Sequence, residues 1–168
     1  LFGWKNKDTG FRKFRTCYIQ IPRKNGKTTL CAAIGLYMLF ADKERGGEIY
    51  AAAGDRNQAN IIFDIAKQMI INNPELTKRG KVFRNSIVNE SKGNFFQAIS
   101  SDSSTKHGFN ASCILMDEMH VQKNRDLWDT LLTSTGARTE PLCLAITTAG
   151  FDKQSICYEL YDYASKVR

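Results

Sequence analysis

Hydrophobic residues along this chain fall into two kinds of block, and their alternation predicts an α/β domain. Short apolar runs read as strands at Phe14 to Ile21 and Leu142 to Thr147, and as buried strands at Ile49 to Ala53 and Ala111 to Met116. Between them lie helical patterns. Thr28 to Ala41 is apolar on nearly every side, which predicts a helix buried in the domain. After Asp55, a suitable N-cap, Ile61, Ile62, Ile65, Ala66, Met69 and Ile70 recur at three- and four-residue intervals, predicting a helix to about Ile71. Asn72-Asn73-Pro74 ends it. Val82 to Val88 and Asn94 to Ile99 read as strands around a turn at Glu90 to Gly93. Residues 100–110 read as a loop, with His107 structural or exposed. Asp126 to Thr135 and Lys153 to Val167 read as helices. Strands this apolar, alternating with helices, predict a mostly parallel sheet covered on both faces.

Composition narrows the picture. The 168 residues suffice for one compact domain and not for two, so residues 1–168 are expected to form a single unit. A hydrophobic share of 42% with 24% charged residues argues against disorder. The longest apolar run, Leu30 to Ala41, falls short of the roughly 20 residues that span a bilayer, and the polar, basic start does not resemble a signal peptide. Five widely spaced cysteines without a Cys-x-x-Cys pair read as reduced core residues, which suits a cytoplasmic protein. A start at Leu1 rather than methionine reads as a piece of a longer protein. The net charge of +7 is not spread evenly. Residues 1–27 hold eight basic residues and one acid, and the rest of the chain is neutral.

That basic segment contains Ile21-Pro22-Arg23-Lys24-Asn25-Gly26-Lys27-Thr28-Thr29, between an expected strand and an expected helix. Nucleoside triphosphate binding asks for this placement, because N–H groups and the helix dipole at a helix start favour phosphate. Gly26 allows close approach of the main chain, Lys27 can reach the β- and γ-phosphates, and the Thr28 hydroxyl can ligate Mg²⁺. The pattern G-x-x-x-x-G-K-[ST] is incomplete, since Ile21 occupies the first glycine position. A polar surface turn is the competing reading. Arg23 and Lys24 weigh against it, because basic groups crowded at a helix start repel unless an anion is present.

Cys113-Ile114-Leu115-Met116-Asp117-Glu118 is an apolar strand ending in two carboxylates. Opposite a phosphate loop, Asp117 would hold Mg²⁺ and Glu118 would orient or deprotonate the attacking water. His120 completes an Asp-Glu-x-His sequence of the kind found in nucleic-acid-dependent ATPases, with a polar turn residue as the alternative. Thr147 and Thr148 end another strand and could sense the γ-phosphate from the same crevice. An arginine could neutralise phosphoryl charge, in cis or from a neighbouring subunit; Arg23 is the better candidate, and Arg138 is more simply a surface residue. Lys78, Arg79, Lys81 and Arg84 form a basic cluster that reads as a solvated loop or a phosphodiester contact.

Taken together, these motifs resemble the ATPase domain of the large terminase subunit of tailed bacteriophages. The resemblance rests on Leu1-Phe2-Gly3-Trp4, the Pro22 to Thr28 loop, Asp55-Arg56-Asn57-Gln58-Ala59, Met116-Asp117-Glu118-Met119-His120 and Thr147-Thr148-Ala149-Gly150-Phe151-Asp152. It implies an α/β P-loop NTPase fold of the RecA/ASCE type, with ATP and Mg²⁺ as ligands. The family lacks the first loop glycine, so Ile21 ceases to be a defect, and its loop arginine, here Arg23, acts on the γ-phosphate. The resemblance also implies a motor that moves double-stranded DNA, as a homo-oligomeric ring on a portal with a small terminase subunit, in the host cytoplasm and away from membranes. The family's adenine-binding segment and its nuclease domain are expected to lie outside this sequence, so DNA cleavage is not expected of it. Two alternatives stay open: the first RecA-like domain of an Asp-Glu-x-His helicase, and a nucleotide-binding assembly module with little turnover. The charge divides accordingly: Arg23, Lys24 and Lys27 belong to the triphosphate site, and Lys5, Lys7, Arg12, Lys13 and Arg15 remain as free basic surface.

Overall fold

The computed structural model describes residues 2–101, 108–122, 125–150 and 152–167. Its strands are β1 (Thr16–Gln20), β2 (Glu48–Ala53), β3 (Lys81–Val82), β4 (Ile87–Asn89), β5 (Asn94–Ser100), β6 (Ala111–Met116) and β7 (Leu142–Thr147). They form one sheet in the order β1-β7-β6-β2-β5-β4-β3. The first five strands in that order run parallel, and β4 and β3 add an antiparallel edge. The helices are α1 (Lys27–Phe40), α2 (Arg56–Ile71), α3 (Pro74–Arg79), α4 (Asp126–Ser134) and α5 (Ile156–Lys166).

The side-chain alternation of the central strands builds two cores. Cys113 and Leu115 of β6 face α1 and α2 with Ile49, Ala51, Leu144 and Ile146. Ile114 and Met116 face α4 and α5 with Tyr50, Ala52, Cys143 and Ala145. Helices on both faces explain why these strands carry no polar side. Gly35 lets α1 lie close to the sheet: a Cβ there would sit 3.0 Å from Leu115 Cδ1 and Phe96 Cε1.

Several sequence expectations change. The α1 helix is not buried all round; Leu30 and Tyr37 are 40% and 42% exposed and form an outer face. The expected strand Val82 to Val88 is a short antiparallel pair, β3 and β4, because the polar Arg84-Asn85 turn interrupts it. Asn72-Asn73-Pro74 ends α2 and also starts α3: Asn73 accepts from the N–H groups of Glu75 and Leu76, and Pro74 takes the first turn. Arg12 is not free surface. It is 6% exposed, its NH2 pairs with Asp42 Oδ1 at 2.7 Å, and its NH1 donates to Glu140 O at 3.2 Å. The basic cluster is also partly neutralised, with Lys78 paired to Glu75 and Lys81 to Glu90. His107 lies outside the described residues, as does Phe151. Of the cysteines, Cys17 is partly buried and the other four are buried, all free thiols.

Candidate functional site

Parallel pairing brings the carboxyl ends of β1, β7, β6 and β2 level with one another. Gln20 lies beside Thr147, Met116 beside Ala145, and Ala52 beside Met116. Each expected motif begins where one of these strands stops, so the chemistry collects along one edge of the sheet. Between that edge and α2 lies a cavity of about 960 Å³.

The β1–α1 loop forms one wall. Gly26 sits at φ 72° and ψ 18°, a left-handed conformation that glycine adopts without strain, and Lys24 also has a positive φ of 63°. Arg23, Lys24, Gly26, Lys27, Thr28 and Thr29 line the cavity. Pro22 and Asn25 shape the loop instead, Asn25 Nδ2 donating to the carbonyls of Pro22 and Arg23 at 3.3 and 3.0 Å. Lys27 opens α1 and is only 6% exposed, a burial that an ammonium group accepts only with anionic company.

The β6 carboxylates supply that company. Glu118 Oε1 lies 3.9 Å from Lys27 Nζ. Asp117 Oδ2 accepts from Thr28 Oγ1 at 3.3 Å, and its Oδ1 accepts from Glu118 N at 2.8 Å. Burial raises the Asp117 carboxyl above its ordinary range; the Glu118 N–H, Thr28 and Lys27 offset this in part, while Glu118's charge adds to the rise. Glu118 occupies φ 49° and ψ 48°, an uncommon backbone state for a non-glycine residue, and its Oε2 is buried without a hydrogen bond. A hydroxyl and a carboxylate facing each other beside an orphaned carboxylate oxygen form a donor set suited to a hard divalent cation.

Thr147 and Thr148 do not line the cavity. They reach it through His120, whose Nδ1 is 2.9 Å from Thr147 Oγ1 and 3.4 Å from Thr148 Oγ1. Arg138 is elsewhere. Its guanidinium donates to the carbonyls of Asn110 and Gly46, both at 2.8 Å, and approaches Glu44 Oε1 at 3.5 Å. Those partners precede β6 and β2, so Arg138 staples the opposite edge of the sheet, about 20 Å away along six-residue strands. From there it cannot reach a phosphate in the cavity of its own chain, so its candidacy in cis is corrected. The far wall is the part that sequence reading misses. Ile61 and Ile65 of α2, with Val121 and Gln122, complete it. Ile61 fits the apolar period of α2, yet it is 44% exposed. Gln58 and Asp55 also line this side, and both belong to the Asp55 to Ala59 segment that the family resemblance includes.

A family model described as the terminase large subunit ATPase domain matches residues 1–166. The chain belongs to the large-terminase ATPase domain family. It is 31% identical over 139 residues to the terminase large subunit of Enterobacteria phage HK97, a match over 77% of this chain and 27% of that protein. The crystal structure of the HK97 large terminase superposes with a TM-score of 0.83 at 27% identity, covering 90% of this chain and 33% of the other. The Thermus phage P74-26 large terminase ATPase domain shares the fold with a TM-score of 0.70 at 17% identity, over 90% of this chain and 66% of that one. A large terminase from a thermophilic bacteriophage, solved in complex with ATP-gamma-S, matches with a TM-score of 0.54 at 15% identity over 78% of this chain and 32% of that one. The fold is thus the RecA-like P-loop architecture of terminase ATPase domains. This terminase domain spans about a quarter of the HK97 subunit's length. Among the described residues, no helix is long and apolar enough to cross a membrane.

Proposed function

We propose that this terminase domain hydrolyses ATP and that hydrolysis drives double-stranded DNA translocation into a viral procapsid. The observation that carries the reading is the meeting of Lys27 and Thr28 at the start of α1 with Asp117 and Glu118 just past β6, within one cavity. Lys27 and the α1 N-terminus bind the β- and γ-phosphates, and Arg23 at the loop stabilises charge on the transferring group. Thr28 and Asp117 would hold Mg²⁺, which supplies positive charge against the phosphate oxygens. Glu118 orients the attacking water and takes its proton at a carboxylate oxygen, for which the unbonded Oε2 is available. Thr147 and Thr148 report phosphate loss to the rest of the domain through His120. The ATP-gamma-S complex of the thermophilic phage terminase supports nucleotide binding on this fold.

In the packaging machine we place this domain in a homo-oligomeric ring on a portal, with a small terminase subunit, in the host cytoplasm. The test is steady-state phosphate release with and without DNA. Lys27→Ala is expected to abolish hydrolysis, and Glu118→Gln to keep nucleotide binding while stopping turnover. Wild-type turnover by Glu118→Gln would refute the assignment. Nucleotide binding without phosphate release by the unmodified protein would leave an assembly module instead.

A further inference from the structure

The hairpin that precedes β1 has a face that nucleotide chemistry leaves unused. Lys5 and Arg12 pair across it as an antiparallel bridge, and Lys13 N donates to Trp4 O at 2.9 Å. Its turn is closed internally: Asn6 Oδ1 accepts from Asp8 N and Thr9 N, and Gly10 takes a left-handed φ of 68°. Arg12 locks the hairpin to the domain. Besides pairing with Asp42, it donates its backbone N–H to Glu140 Oε1 at 2.7 Å, and Lys5 Nζ lies 3.7 Å from the same oxygen. Successive side chains of a strand point to opposite sides. With Arg12 turned inward, Phe11 and Lys13 turn outward, and Trp4, across from Lys13, turns out with them. Trp4 is 63% exposed, Phe14 44% and Phe11 40%. The Trp4 and Phe14 rings are centred 6.1 Å apart, and Lys13 Nζ lies 5.5 and 5.6 Å from their centroids. Lys7 in the turn and Arg15 further along are exposed, and Asp8 is the only acid of residues 1–27. Lys7, Lys13 and Arg15 form no ion pair among the described residues.

We propose that this platform docks an acidic segment of a partner protein, with an apolar side chain packed against Trp4 and Phe14 and carboxylates on Lys13, Lys7 and Arg15. Exposed aromatic rings rimmed by polar groups mark interaction surfaces, and aromatic anchors carry much of the energy at such surfaces. The uncompensated positive charge selects an anionic partner and steers its approach. Two features favour a polypeptide over nucleic acid. Lys13 already covers one face of both rings, which narrows the stacking surface that successive bases need. Three unpaired cations also fall short of the roughly 6–10 phosphate contacts of a firm duplex binder. The hairpin is ordered by its own hydrogen bonds and by the buried Arg12, so little conformational freedom is lost on docking. It lies at the amino-terminal end of β1, whereas the nucleotide cavity lies beyond the carboxyl ends of the strands. The two surfaces can therefore be occupied together.

Binding is measured on the full chain by fluorescence anisotropy with fluorescein-labelled pools of short peptides. One pool is built from Asp, Glu, Leu and Phe, the other from Asn, Gln, Leu and Phe; oligothymidine and a short DNA duplex are run beside them. The acidic pool is expected to bind and to shift Trp4 emission to shorter wavelength. Trp128, the other tryptophan, is 3% exposed and stays silent. Lys13→Glu and Trp4→Ala should each weaken binding about tenfold, while Trp4→Phe keeps most of it. Melting temperature and phosphate release should stay near wild type, because these positions are exposed and remote from the cavity. Lys7→Glu/Arg15→Glu repeats the charge test without touching the rings, in case Lys13→Glu loosens the hairpin. The proposal is overturned if the acidic pool does not bind, if the uncharged pool binds as well, or if the variants bind as tightly as wild type. It is overturned equally if the DNA probes bind more tightly through Trp4 and Lys13, which would make the platform a nucleic-acid surface. Self-association in sedimentation velocity that Trp4→Ala abolishes would assign the platform to a second copy of the chain instead.

Discussion

Thr28 Oγ1 donates to Asp117 Oδ2 at 3.3 Å, although 89 residues separate them in the chain. Strand β7 lies between their strands in the sheet, so the two meet only because both step off the same edge. The contact joins the start of α1 to the end of β6. It also leaves the Asp117 carboxyl buried, with the cost of that burial only partly offset.

The sign of that imbalance gives the first prediction. Burial places the folded-state pKa of Asp117 above its ordinary value of 3.8, so the folded state binds this proton more readily than the unfolded state. The contribution is favourable below pH 3.8 and is lost as pH rises through the folded-state value. At neutral pH the ionised carboxylate therefore costs stability in the ligand-free protein. Asp117→Asn should raise the unfolding free energy by about 0.5–2 kcal/mol near pH 7, a gain that shrinks in acid. Thermal melts across pH check it. Mg²⁺ with nucleotide should raise the melting temperature of the wild type more than that of the variant.

The buried pair of Arg12 and Asp42 predicts a different response. Arg12→Met leaves a carboxylate enclosed without its partner, and such a loss costs about 3–5 kcal/mol. Replacing Asp42 with leucine in the same background should recover part of this, because two charges are then removed together. Urea unfolding of the single and double variants gives the coupling. An additive result would show that the pair acts through packing against Phe2 and Met38 rather than through charge.

Much of the fold is readable because its signals are local. The four apolar strands announce themselves by composition, and Asp55 caps α2 through Asn57 N and Gln58 N as its position suggests. The residues at the ends of β1 and β6 are also readable, since Gly26-Lys27-Thr28 and Asp117-Glu118 carry their chemistry in adjacent positions. Other features depend on three-dimensional neighbours and leave no local trace. Arg12 looks like any surface arginine until Asp42 and Glu140 close over it. Ile61 fits the apolar period of α2, but the helix turns that edge toward the cavity rather than the core. Nor can sequence reveal that His120 Nδ1 lies 2.9 Å from Thr147 Oγ1, joining the end of β7 to the cavity.

Gly35 predicts a purely steric effect. Its missing side chain admits Leu115 Cδ1 and Phe96 Cε1, both fully buried in the α1 face of the core. Neither can move without opening a gap elsewhere. Gly35→Val should cost about 1–3 kcal/mol by overpacking and displace α1 from the sheet. Because α1 begins at Lys27, nucleotide affinity should fall along with the melting temperature. A variant as stable as the wild type would show that the helix has slack the packing does not suggest.

Arg138 separates stability from nucleotide chemistry. Its guanidinium is engaged by Asn110 O, Gly46 O and the Glu44 carboxylate, all at the edge of the sheet away from the cavity. Truncation to alanine strands two carbonyls and the partly buried Glu44, whose pKa burial already raises and Arg138 holds down. Without the arginine that folded-state value moves further above 4.5, so the variant loses more stability as pH rises through it. The loss should be about 1–3 kcal/mol near neutral pH and smaller in acid. Under conditions where both proteins are folded, KM for ATP should be unchanged, since no atom of the cavity is touched. A large rise in KM at full folding would place Arg138 back among the phosphate-binding residues. A melting curve and an ATP titration on the same sample distinguish the two outcomes.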